Sequence, residues 1–234
     1  MALPASGTIK MSEVNTELGN TSTDELGLNN GAVRTLFEVP SGAISLSDGW
    51  GDSETIGEIN ISIVADTDDA WILKYNDFFS TTSNYAQLGN TGYSNYAVLR
   101  FAGLNIPNGA TIDVAYITLT AYSTNSGEDC NLAVWIEESD SAATYSTYAN
   151  VVARSYTGVN WLGVGAWTED SEYATPSLIT LIQDIVDREG WEKGNSLGFL
   201  IGNNVSSANA YRFMDLYHPP ITTPAVLHIE YSTE

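Results

Sequence analysis

The residues able to carry chemistry in this 234-residue chain are few and scattered. Of its two histidines, His218 leads into Pro219-Pro220 and His228 falls within an alternating apolar run. Those are the settings of a turn residue and a strand-surface residue, not of a catalytic pair. A single thiol, Cys130, excludes an intrachain disulfide and a thiolate zinc cluster built within the chain, and reads as a small buried apolar residue. There is no His-Glu-x-x-His pair and no Gly-Lys-Ser/Thr phosphate loop, and the Gly-x-Ser-x-Gly spacing at Gly194-Asn195-Ser196-Leu197-Gly198 opens an expected strand rather than the helix that a nucleophile elbow needs. Adjacent acids such as Glu137-Glu138 and Glu169-Asp170 are the residue type used in glycoside hydrolysis, yet with 29 Asp and Glu in the chain such pairs arise by chance. The expectation is a protein that is not an enzyme and holds no cofactor.

Two constellations stand out from that background. Asp66, Asp68 and Asp69 cluster after the first alternating run, and calcium prefers several such oxygens together. The spacing lacks the glycine on which an EF-hand loop turns, so the two readings are a calcium site of another kind and solvated loop acids. The second is the stretch Tyr156 to Trp167, where Tyr156, Trp161 and Trp167 are the candidate glycan-facing aromatics. Three glycines there are expected to interrupt any regular strand and leave an exposed aromatic loop. Against this, Trp and Tyr are also ordinary core residues with one polar tip to satisfy.

The elements that would position these residues change character at about 51–58, a Gly- and Ser-rich linker. Downstream, over 59–234, apolar residues alternate with polar ones in the manner of strands buried on one face, beginning with Ile59, Ile61 and Ile63. Further strands are expected at 96–101, 115–121, 132–136, 197–201 and 226–231, joined by Asn-, Ser- and Gly-rich loops. One segment departs from this period: Leu178, Ile179, Leu181, Ile182, Ile185 and Val186 recur at helical spacing, with Ser177 as N-cap and Gly190 as stop. The spacing predicts a single amphipathic helix over about 177–189, its stripe either packed on the core or offered to a partner. The fold class that follows is all-β, an antiparallel sandwich.

Upstream, residues 1–50 read as an arm. Leu3-Pro4-Ala5-Ser6-Gly7-Thr8-Ile9 is echoed by Ser41-Gly42-Ala43-Ile44-Ser45-Leu46, and Pro40 precedes the second copy as Pro4 does the first. Between them lie two short helix-prone pieces, one capped by Ser12 and carrying Val14 and Leu18, the other carrying Val33, Leu36 and Phe37 on one face. Neither is long enough to be stable alone, so both need a surface to lie on. These apolar and small residues are the expected docking positions.

Charge bounds the partners. Eight Lys and Arg against 29 Asp and Glu leave a net charge of −21, which repels phosphate backbones and excludes direct nucleic-acid binding. No apolar run is long enough to insert in a membrane as a helix. Met1 to Asn20 have neither a basic start nor an unbroken apolar stretch, so no signal peptide is expected and synthesis is placed in the cytoplasm.

The body also resembles a known family. Ala65-Asp66-Thr67-Asp68-Asp69-Ala70-Trp71, Ala97-Val98-Leu99-Arg100-Phe101, Ile106-Pro107-Asn108-Gly109-Ala110-Thr111-Ile112, the helix, Gly194-Asn195-Ser196-Leu197-Gly198-Phe199 and the closing Pro224-Ala225-Val226-Leu227-His228-Ile229 occur in the order found in DNRLRE-type domains. Those are jelly-roll sandwiches related in shape to carbohydrate-binding modules, and the resemblance spans about 60–232. The arm is similar instead to the N-terminal segment of many tailed-bacteriophage virion proteins. Together the resemblances imply a virion structural protein of capsid-decoration, neck, tail-adaptor or fibre-base type. It would be made in the host cytoplasm, present in many copies or as a homo-oligomer, and partnered by other virion proteins. The alternative they imply is a carbohydrate-binding module that adheres to host polysaccharide.

Overall fold

A computed structural model describes residues 55–219 and 223–233, together with Leu18, which sits in a turn. The chain divides into two compact units, Met1–Thr55 with Glu234, and Ile56–Thr233. The second unit is an antiparallel β-sandwich. Its strands are β1 (Thr55–Ser62), β2 (Asp69–Leu73), β3 (Phe78–Ser80), β4 (Tyr85–Asn90), β5 (Ser94–Phe101), β6 (Thr111–Thr120), β7 (Cys130–Glu137), β8 (Tyr156–Val164), β9 (Glu172–Ala174), β10 (Leu197–Asn203), β11 (Ala210–Asp215) and β12 (Val226–Thr233). A four-stranded sheet runs β1-β12-β6-β9, and an eight-stranded sheet runs β11-β4-β5-β10-β7-β8, with β2 also paired to β5 and β3 paired to β2. The chain therefore crosses repeatedly between the two layers, as expected of a jelly-roll sandwich.

Period-two alternation places the core between the sheets. Ile117, Leu119, Leu227 and Ile229 point inward from the small sheet and meet Leu99, Phe101, Val134 and Phe199 from the large one. Cys130 is buried among them, as its sequence setting suggested.

Helix α2 (Ile179–Val186) buries Leu181, Ile182, Ile185 and Val186 against this core, so its stripe is packing surface and not a partner groove. It is shorter at both ends than the expected 177–189. Leu178 donates its N–H to Ala115 O of β6 (2.8 Å), which fixes the entry after Ser177. At the other end Asn108 donates from Nδ2 to the carbonyls of Val186 and Arg188 (both 2.8 Å). The loop between β5 and β6 thus takes the last carbonyls, and the helix stops before Gly190. A second helix, α1 (Tyr148–Val152), was not expected. It is too short for a periodic signal, and Thr147 caps it by accepting from Asn150 N–H (3.1 Å).

Two glycine-rich stretches read as irregular are strands. β1 begins at Thr55, inside the presumed linker, because Gly57 lies where the Tyr231 ring crosses: a Cβ there would come within 2.2 Å of Tyr231 Cζ. β8 runs through the presumed aromatic loop. Gly158 leaves room for the Trp135 indole, whose Cδ1 would lie 2.4 Å from a Cβ, and Gly163 takes φ +63° at the irregular end where the pairing with β7 shifts. A glycine without side-chain room is fully compatible with a strand when a neighbour's ring fills the space above it.

Candidate functional site

The outer face of the large sheet carries an apolar groove of about 300 Å³, and parity builds it. In β5 the inward residues are Ala97, Leu99 and Phe101, which turns Tyr96 outward; in β7 they are Leu132, Val134 and Ile136, which turns Trp135 outward. Each outward ring sits over a glycine of the next strand. Tyr96 is paired with Gly202, where a Cβ would lie 2.5 Å from Tyr96 Cδ1, and Trp135 is paired with Gly158. The two ring centroids are 6.2 Å apart. Ile72 of β2 and Leu200 of β10 complete the floor.

The wall comes from the excursion between β7 and β8, which folds back across this face and contains α1. Tyr148, Val151 and Val152 of the helix and Tyr156 of β8 line the groove, with Lys74 and Asn203 at its polar rim. Arg154 holds the excursion in place. Its guanidinium donates to Glu137 Oε2 (2.7 Å), to the carbonyls of Ala143 and Thr144 (both 2.8 Å) and to Asn150 Oδ1 (2.8 Å). It also lies 4.3 Å from the centroid of the buried Tyr145 ring. Four satisfied donors in a half-dry setting make a rigid clasp.

Burial, and then the Glu137 carboxylate, push the Tyr156 hydroxyl up to about 12. Partial burial, and then Asp77 and Tyr96, raise Tyr148 as well. Both phenols keep their protons at neutral pH and present O–H groups rather than a base. The groove has aromatic walls, few polar groups and a fixed frame, the features of a binding pocket for an apolar or aromatic-stacking ligand.

The expected glycan-facing aromatics do not form one surface. Tyr156 lines this groove, whereas Trp161 and Trp167 line a separate hollow of about 280 Å³ with Tyr173. Trp167 is 2% exposed and stacks on Tyr173 with centroids 4.7 Å apart and planes at 9°, so it is chiefly a packing residue with little surface left for the hollow. Trp135, one of several tryptophans able to stack on a sugar ring, was left out of the glycan-facing set and Tyr96 and Tyr148 were not singled out, although the parity of β5 and β7 marks Tyr96 and Trp135 as outward.

The calcium reading is corrected. Among the described residues no three His, Cys, Asp or Glu side chains come together to hold a metal ion. Asp68 is bound to Arg100 (2.6 Å), Asp66 faces His218 (3.5 Å), and Asp69 Oδ2 accepts from Tyr217 N–H (2.7 Å). Asp69 is 1% exposed, and burial, assisted by Asp66 and Asp68, raises its carboxyl to about 7 against the pull of the Tyr217 N–H. Asp68 and Asp69 are therefore buried and engaged, Asp66 stays partly exposed, and the three do not converge on a cation. His228 is a strand-surface residue as expected, its ring tilted against Tyr116 and bonded to Asn60 Oδ1 (2.8 Å). The docking positions of the arm, from Leu3 to Leu46 with Leu18 excepted, lie outside the described residues.

No protein-family model and no curated protein matches this chain. A solved structure titled Desmodium yellow mottle tymovirus overlaps 78% of this chain and 90% of its own at 12% identity, with a TM-score of 0.26, too slight an overlap to carry an argument.

Proposed function

We propose that this chain is a non-enzymatic structural protein of a tailed-bacteriophage virion, docked through residues 1–50 and presenting the β-sandwich from the particle. The observation that carries this reading is the division of the chain into Met1–Thr55 and Ile56–Thr233, with the doubled Ser-Gly arm in the first unit and, among the described residues, a buried core in the second. A sandwich that closes its own core does not need the arm to fold, which leaves the arm free for attachment. The test is incorporation. Particles assembled with a chain lacking residues 1–50 should contain none of it by mass spectrometry, although the truncated chain accumulates in the cell. Full occupancy without the arm would refute the reading.

The groove favours a second reading, in which the sandwich is a carbohydrate-binding module that adheres to host polysaccharide. The neighbouring Tyr96 and Trp135 rings, with the phenols of Tyr148 and Tyr156 beside them, offer both the flat apolar face and the hydrogen bonds that a sugar ring takes. Titration of the full-length chain with host-surface polysaccharide should quench tryptophan fluorescence, and Trp135→Ala should abolish the change. Binding that survives Trp135→Ala would place any glycan elsewhere.

A further inference from the structure

The large sheet ends in an edge that nothing described here covers. β8 pairs with β7 on one side only, and its nine residues, Tyr156-Thr157-Gly158-Val159-Asn160-Trp161-Leu162-Gly163-Val164, include no Asp, Glu, Lys, Arg or Pro. Proteins blunt exposed edges with charge, proline, short length or cover. The other described edges show those devices: β1 carries Glu58, β9 is three residues long, and β11 is covered at Met214 by Ala121 and at Phe213 by the N–H of Tyr122 (3.0 Å). β8 alone among the described strands is both long and bare, with a bulge only at its far end.

The backbone phase identifies which groups are offered. Glu138 N–H donates to Ser155 O (2.9 Å), which sets the ladder. By antiparallel alternation Thr157, Val159 and Trp161 spend their backbone groups on β7, while Tyr156, Gly158 and Asn160 turn theirs outward. Leu162 adds an apolar side chain that is 61% exposed.

We infer that β8 is the contact between two copies of this chain, pairing antiparallel with its own equivalent across a two-fold axis near Val159. The strip admits this occupant because it carries no charge of its own. Two molecules of −21 repel over most of their surface, and an uncharged strip is where they can approach at least electrostatic cost. The strip is also self-complementary: about Val159, Gly158 of one copy faces Asn160 of the other, and the exposed Leu162 meets Tyr156 of the second copy as an aliphatic–aromatic cross-strand pair. The axis of such a pairing stands perpendicular to the sheet. Both aromatic grooves would then open on the same face of one continuous sheet, each beside the seam through its own Tyr156.

The test uses the full-length chain and two variants. Asn160→Pro removes an outward N–H without touching the β7 ladder, because proline is tolerated on the open side of an edge strand. Leu162→Lys adds the missing charge on a side chain that leaves the core untouched. Sedimentation equilibrium should show wild-type self-association, weakened at least ~10-fold by either variant. Hydrogen exchange should show Gly158 and Asn160 amides protected by at least ~10-fold more at high protein concentration than at low. If Asn160→Pro fails to fold by circular dichroism, Leu162→Lys decides. A wild type that stays monomeric, association unchanged in a folded variant, or association with no added protection of these two amides would each overturn the inference. The last outcome would place the contact elsewhere in the chain.

Discussion

Replacing Asp69 by asparagine should remove a specific slope from the pH dependence of stability. The side chain is 1% exposed; Oδ2 accepts from Tyr217 N–H, and Oδ1 has no hydrogen-bond partner among the described residues. Burial, with Asp66 and Asp68 nearby, raises the carboxyl from its ordinary 3.8 to about 7. Between those values the folded chain holds a proton that the unfolded chain has released. Stability from this group is therefore fully present below about pH 4, falls by about 1.4 kcal/mol per pH unit as pH rises, and levels off near 7. The whole window amounts to about 4 kcal/mol, reduced toward about 2 kcal/mol where the interior relaxes or admits water. Asparagine has the same shape, stays neutral at every pH and can still accept from Tyr217. Chemical denaturation of both proteins from pH 4 to pH 8 isolates the effect, because every other titrating group is common to the pair. The variant should match the wild type at acid pH and exceed it by about 2 to 4 kcal/mol at pH 8. Parallel profiles would refute the reasoning, since they would mean that Asp69 titrates alike in the folded and unfolded chains.

Other consequences can be checked on the same protein. Arg212 is fully buried, with its guanidinium donating to the carbonyls of Val164, Gly165, Glu128 and Tyr211, so Arg212→Met should cost about 3 kcal/mol or more by urea denaturation, leaving several dry carbonyls unpaired. Val205 is 87% exposed and sits at φ +57°, a left-handed conformation unfavourable for a β-branched residue; Val205→Asn should raise stability by about 1 kcal/mol in the same assay. In the glycan titration, Trp135→Ala should weaken binding by at least ~30-fold, about 2 kcal/mol, at a temperature where circular dichroism shows the variant folded. Self-association through β8 should strengthen as salt is raised, because screening relieves the repulsion between two chains of charge −21 without weakening backbone hydrogen bonds.

Much of the sandwich is legible in the sequence because half-buried strands write their two-residue period directly. β5, β7, β10 and β12 fall where alternation places them, and the α2 stripe is unmistakable. What stays hidden is non-local. Gly158 and Gly202 look like interruptions until Trp135 and Tyr96 are known to lie across them from neighbouring strands, and sequence spacing carries no record of that adjacency. The same holds for Arg212, a buried staple for two loops whose partners lie far from it in sequence. Asp66, Asp68 and Asp69 had the composition of a cation site, but Arg100, His218 and the Tyr217 backbone, all distant in sequence, claim them first. Helix ends were misplaced for a similar reason, since Asn108 and Ala115 outcompete the local caps.

The central claim is attachment to a particle through the arm, and electron cryomicroscopy of purified virions from cells expressing this chain tests it most directly. The account predicts sandwich-sized density at regular positions on the particle, joined to the underlying shell or tail by chain traceable to residues 1–50 and lost when those residues are deleted. Particles that lack the protein, or that hold it through the sandwich with the arm removed, would contradict it.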